Sequence, residues 1–183
     1  MGTLIRYENP PVDHVLCAID PGKRACGVSL WAVKYRDDGV KTELTWCGLV
    51  EEKSGDPQKL ALKIIQLKKT VDFFVYYAED PQFYPLKRKP HDDLRSLKRV
   101  LQSLQREGAR PFFRIKPVKW KGNLPKKIHH DRVLRQLSAA ESKLVPVDHN
   151  VRDAVALGLY ALGRTGRGAV QHAVPPRKAH EFE

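Results

Sequence analysis

Cysteine is scarce in this chain of 183 residues: Cys17, Cys26 and Cys47 are the only three, an odd number with no C-x-x-C spacing. That excludes a disulfide frame and a cysteine-based zinc site. Thiols set in strand-like stretches read instead as small buried hydrophobes of a reducing compartment. Long apolar runs are missing too. No stretch approaches the roughly 20 residues that cross a bilayer, and residues 1–12 lack the apolar centre of a secretory leader. A cytosolic location is expected, with no membrane partner. Acid is in short supply: 21 Asp and Glu face 33 Lys and Arg, a formal net charge of +12. An excess of that size points to an anionic partner, most simply nucleic acid. A second Gly-rich phosphate loop is also absent, and the length suits one domain with a full core better than two lobes. Both observations weigh against an actin-like ATPase.

The few acids are not scattered evenly. Val15-Leu16-Cys17-Ala18-Ile19 is an unbroken apolar run that stops at Asp20, and Pro21-Gly22 turns the chain at once. Such a run reads as a strand buried on both faces. Phe73-Phe74-Val75-Tyr76-Tyr77-Ala78 repeats the pattern and ends at Glu79. Asp153 opens a helical pattern through Ala154, Val155 and Leu157. A single acid after a strand is ordinarily a turn residue, and one in the first turn of a helix ordinarily answers the macrodipole. Three acids, each closing or opening an apolar element, build a metal-binding carboxylate cluster. Chemistry in open α/β sheets sits outside the carboxyl ends of the strands.

In chain order, residues 1–13 read as an irregular arm because of Pro10-Pro11. Strands over 14–20, 26–33 and 43–50 form an antiparallel meander, with Asp38-Gly39 as the hairpin signal. Asp56 caps a helix that Pro57 begins. A helix placed there lets the next strand, 73–79, return parallel to the first. Asp20 and Glu79 then leave the same sheet edge. A helix opened by Asp92 and Asp93 runs to Glu107 and stops at Gly108, and strand five spans 111–116. A loop over 117–127, a helix over 128–141, a short strand Leu144–Val147 and a last helix over about 149–163, capped by Asp148, complete the domain. Residues 165–183, rich in Gly, Arg and Pro, read as a mobile basic tail. The domain therefore spans 14–164.

Two basic segments carry aromatics. Phe83, Tyr84, Lys87 and Arg88 lie in a proline-rich loop, a composition suited to stacking on bases and contacting phosphate. Lys119, Trp120, Lys121, Lys126 and Lys127 form the densest basic stretch, suited to gripping backbone phosphates. The adjacent His129 and His130 cannot share a helix face, which disfavours a His-His metal site. Leu94, Leu97, Leu101 and Leu104 form a narrow seam that suits helix–helix contact, with a partner subunit or with the chain's own sheet.

This order of elements resembles the ribonuclease H-like nucleases, and within them the RuvC-type Holliday junction resolvases. The phage-type enzymes are most similar, through Trp120-Lys121-Gly122 and Pro125-Lys126. The resemblance covers residues 14 to about 164. It implies an α/β ribonuclease H-like fold, a five-stranded mixed sheet flanked by helices. It implies that Asp20, Glu79 and Asp153 are catalytic acids holding two Mg²⁺ ions, with Mn²⁺ as a substitute. Family members carry an acid or histidine three residues before the last Asp. That position here is Asn150, a neutral oxygen donor, with Asp148 and His149 beside it as other candidates. Phe83 or Tyr84 matches the aromatic that stacks at the junction centre. The activity implied is Mg²⁺-dependent hydrolysis of four-way or otherwise branched DNA by a homodimer, in a bacterial or phage-infected cell. Two alternatives share these residues: another nuclease of the same fold acting on branched DNA or RNA, and a non-catalytic nucleic-acid binder.

Overall fold

The computed structural model describes residues 13–67, 74–82, 91–122 and 125–165. Strand β1 (His14–Asp20) pairs antiparallel with β2 (Ala25–Arg36), and β2 with β3 (Gly39–Glu51). The corner between β2 and β3 is taken by Gly39 at φ 129°, a conformation that disfavours side chains. Helix α1 (Pro57–Gln66) follows, with the Asp56 carboxylate accepting from the N–H groups of Gln58 and Lys59. It delivers β4 (Phe74–Glu79) parallel to β1, as the crossover requires. Helix α2 (His91–Arg106) ends before Gly108 at φ 99°, and β5 (Phe112–Ile115) lies parallel to β4. The sheet order is β3-β2-β1-β4-β5, the five-stranded mixed sheet expected from the sequence.

Alternation along the central strands sorts the core into two layers. Val15, Cys17 and Ile19 of β1 face α1 and α2, where Leu60, Ile64, Leu101 and Leu104 cover them. Leu16 and Ala18 face the opposite way, as do Val75 and Tyr77 of β4. Both faces of β1 are buried, so its sequence shows no polar alternation. Leu101 and Leu104 are 0 % exposed within the chain's own core, which contributes about 1.5–3 kcal/mol for each. That half of the α2 seam is therefore used internally, while Leu94 and Leu97 are half-buried.

The second face is covered by α3 (Pro117–Trp120), α4 (Lys126–Arg135), α5 (Ala139–Leu144) and α6 (His149–Ala161). This region departs from expectation. The segment 117–127 is not all loop: Pro117, pre-set for a first helical position, starts the single turn of α3. One helix over 128–141 is replaced by two. Ser138 caps a new start, its hydroxyl accepting from Glu141 N–H while the Glu141 carboxylate accepts from Ser138 N–H. No strand forms over 144–147, where Pro146 lacks a donor. Nor is α6 loosely laid on the sheet. A Cβ on Gly27 of β2 would overlap the backbone carbonyl of Asn150, and one on Gly158 would overlap the Trp31 indole. Ser29 Oγ donates to Ala154 O at 3.0 Å and accepts from Trp31 Nε1 at 2.9 Å.

Apart from Asp13 and Thr165, the expected arm and tail lie outside the described residues. Asp13 docks on β2, its carboxylate accepting from Tyr35 N–H at 2.6 Å. Cys17 and Cys26 are buried and Cys47 half-buried, all as free thiols. No helix among the described residues is long and apolar enough to cross a membrane.

Candidate active site

The register of β1 against β4 pairs Ile19 with Ala78, so the next residue on each strand is an acid, Asp20 and Glu79. Asp20 shares the parity of Leu16 and Ala18, and Glu79 that of Val75 and Tyr77. Side chains two apart share a sheet face. Both acids therefore belong to the face covered by α6, on which Asp153 sits buried in the second turn at 4 % exposure.

The electrostatics register this convergence. Burial raises the Asp20 carboxyl well above its ordinary range, and the charges of Glu79 and Asp153 push it further, against the opposing pull of Lys121 and Lys126. Asp153 is moved the other way. Burial would raise it, but the Lys121 hydrogen bond and charge, the His130 hydrogen bond and the Lys126 charge together hold it below the ordinary carboxylate range. Lys121 Nζ lies 2.7 Å from Asp153 Oδ2, His130 Nε2 lies 2.7 Å from Oδ1, and Lys126 Nζ lies 3.9 Å from Oδ2. Lys121 also sits over the Trp120 ring, 4.9 Å from its centroid. As the side chains stand, no three His, Cys, Asp or Glu among the described residues are gathered tightly enough to hold a metal ion. Both oxygens of Asp153 are engaged, by Lys121 and by His130. The chemistry of the donors nonetheless fits a hard divalent cation: three carboxylates share one face, and an ammonium already stands as a cation against one of them.

The other expected site residues fall into four groups. Lys119, Lys126 and Lys127 are exposed, and Lys126 reaches Asp153. Trp120 is 3 % exposed and packs beneath the loop with the α6 residues, so its indole supports Lys121 from below. Phe83, Tyr84, Lys87 and Arg88 lie outside the described residues. Asn150 is half-buried in the first turn of α6, while Asp148 Oδ1 is taken up as the cap, accepting from the N–H groups of Asn150 and Val151 at 2.8 and 3.1 Å. His149 is exposed. His130 was not among the expected site residues. Its one signal is position: it lies three residues before Val133, hence on the same inward stripe of α4, and both are buried.

No protein-family model and no curated protein sequence matches the chain. Solved structures do. RuvC from Thermus thermophilus, solved in complex with a Holliday junction substrate, aligns with a TM-score of 0.59 at 19 % identity, over 84 % of this chain and 97 % of that one. The chain has the fold of a RuvC-type Holliday junction resolvase. The fowlpox virus Holliday junction resolvase aligns with a TM-score of 0.53 at 8 % identity, over 81 % and 96 % of the two chains. The yeast mitochondrial resolvase Ydc2 aligns with a TM-score of 0.50 at 10 % identity, over 87 % and 84 %.

Proposed function

We propose that this protein is a structure-selective endonuclease that resolves four-way DNA junctions, with Asp20, Glu79 and Asp153 as its metal-binding catalytic acids. The observation that supports the reading most is geometric: Asp20 and Glu79 end neighbouring strands on the face where Asp153 is buried, near enough for the charges of Glu79 and Asp153 to raise the Asp20 carboxyl against the pull of Lys121 and Lys126. A packed core gains nothing from such a cluster, and a divalent cation relieves it.

When bound, a pair of Mg²⁺ ions stabilises the attacking water and the leaving 3′-oxygen of an in-line phosphodiester displacement. Asp20, Glu79 and Asp153 would hold the metal, Asp20 being the acid that feels the charge of both others. Asn150 adds a neutral oxygen donor near by. The exposed Lys119, Lys126 and Lys127 neutralise phosphates and orient the duplex arms without reading sequence. Phe83 and Tyr84 stack on bases at the branch, flanked by Lys87 and Arg88. Two copies related by a two-fold axis present two such sites, matching a junction cut on two strands. Mn²⁺ substitutes for Mg²⁺.

The test is cleavage of a four-way junction beside duplex, fork, flap and RNA substrates, with and without Mg²⁺. Junction cleavage that requires Mg²⁺ and disappears in Asp20→Asn, while junction binding stays intact or tightens, is the expected result. Wild-type cleavage by Asp20→Asn removes the metal-site reading. Tight binding with no metal-dependent cleavage by the natural chain makes it a binder alone. Ultracentrifugation with and without junction should show twice the chain mass.

A further inference from the structure

We infer that His130 is the positioning residue of this site: by holding one oxygen of Asp153 it presents the other to the cation. The inference rests on the nuclease reading above and deepens it.

The two partners of Asp153 differ in kind. Lys121 reaches Oδ2 on a four-carbon stem whose side chain is 22 % exposed, whereas the His130 side chain is 8 % exposed. The His130 ring is largely buried and has an aromatic neighbour. It lies 6.1 Å from the His129 ring, which in turn meets the Trp120 indole edge-on at 5.2 Å. One turn further along α4, Val133 is buried in the same core layer as Val155 and Leu159 of α6. A flexible ammonium can leave its oxygen; a largely buried ring, one turn from the buried Val133, is held far more firmly in place.

The direction of the hydrogen bond follows from the acceptor. An ionised carboxylate only accepts, and Asp153 faces the Lys121 ammonium at 2.7 Å. Nε2 therefore carries the proton and donates to Oδ1 at 2.7 Å. With Oδ1 tied, the carboxylate cannot spin about its last torsion, and Oδ2 is the oxygen left for a cation once Lys121 withdraws. Partners that orient a ligating carboxylate are worth about 10- to 100-fold in metal affinity. The arrangement also accounts for the adjacent histidines. The chain splits the pair, His129 turning to the Trp120 indole and His130 to the acid.

The experiment measures Mn²⁺ binding to the full chain by calorimetry and electron paramagnetic resonance, with metal-free melting temperatures as the folding control. His130→Phe keeps a ring but no donor; His130→Gln places an amide N–H close to the position of Nε2. His130→Phe is expected to weaken Mn²⁺ binding by about 10- to 100-fold, and His130→Gln to restore it to within about threefold. Bound Mn²⁺ should show no coupling to a directly ligated nitrogen. Unchanged binding in folded His130→Phe overturns the inference, and so does a folded His130→Gln no better than His130→Phe. A nitrogen coupling lost in His130→Phe also overturns it, because His130 is then a ligand. These three outcomes leave the nuclease reading standing, provided the natural chain binds Mn²⁺ and cuts junctions. A natural chain that does neither sinks both.

Discussion

Replacing Lys121 by Met should have opposite effects on the metal-free and metal-bound protein. Met keeps the apolar stem that lies over Trp120 and removes the ammonium that sits 2.7 Å from Asp153 Oδ2. A hydrogen bond to a charged group contributes about 1.5–3 kcal/mol. Breaking a buried ion pair by deleting one partner costs about 3–5 kcal/mol, because the other charge is stranded. Here His130 and Lys126 stay at Asp153, and Lys121 is partly solvated, so the loss should fall in the lower range, roughly 1–3 kcal/mol. The metal-free variant should melt lower than the natural chain. The bound state tells the reverse. A cation arriving at Oδ2 must displace the ammonium, and without that competition it should bind about 10- to 100-fold more tightly, since about 1.4 kcal/mol is a factor of ten. Calorimetric titration with Mn²⁺, paired with melts at zero and saturating Mn²⁺, reads both effects. A folded Lys121→Met variant whose Mn²⁺ affinity is unchanged or weaker refutes the idea that lysine and metal share one oxygen.

Two further predictions concern the frame around the site. Glu141 accepts from Leu44 N–H, Ser138 N–H and Arg164, and is 4 % exposed. Burial would raise its carboxyl, but Arg164 and the backbone donors hold it down at about 2, from 4.5. A depressed carboxyl stabilises the fold above its ordinary value and loses that contribution as pH falls through the depressed one. Glu141→Gln should therefore cost about 3 kcal/mol at pH 7, lowering the melting temperature by roughly 6–12 °C. The gap to the natural chain should narrow as pH falls from 4.5 toward 2; a gap indifferent to pH would falsify the assignment. Gly27→Ala forces a methyl group into the Asn150 carbonyl. That overpacking should cost about 1–3 kcal/mol, lift the start of α6, and depress junction cleavage more than junction binding. Full cleavage by a folded Gly27→Ala protein would show that α6 needs no such close seat.

The parts of the molecule legible in the sequence are those whose signals are local. The apolar run into Asp20, its echo into Glu79 and the capped helices at Asp56 and Asp148 carry their own punctuation, and each stands where its residues imply. Parity along β1 and β4 then leaves little freedom in where two of the acids point. The region over 117–147 was harder. A single capping box at Ser138 divides one amphipathic stretch into two helices, and Pro117, at the head of a segment that reads as loop, starts a turn of helix. The roles of Lys121 and His130 depend on contacts 23 or more residues away. An indole flanked by lysines is as consistent with a DNA-facing stack as with a buried floor, and only the packed structure distinguishes the two.

Asp20 and Glu79 stand at the ends of neighbouring parallel strands, whose separation of about 4.8 Å is set by the backbone ladder and has almost no give. Asp153 comes in on α6, and the two side chains gripping it come from the end of α3 and from α4. The arrangement is a caliper with one jaw welded to its frame and one that slides. Oxygen bonds to Ca²⁺ run about 2.3–2.6 Å against about 2.0–2.1 Å for Mg²⁺, so under the proposed reading of these acids a larger ion would have to be accommodated on the helical side. The tolerance of that side is written into its seat on β2, where Gly27, Ser29 and Trp31 meet α6. Selection for work with a different cation should accordingly leave the three acids alone and collect its substitutions along that seat.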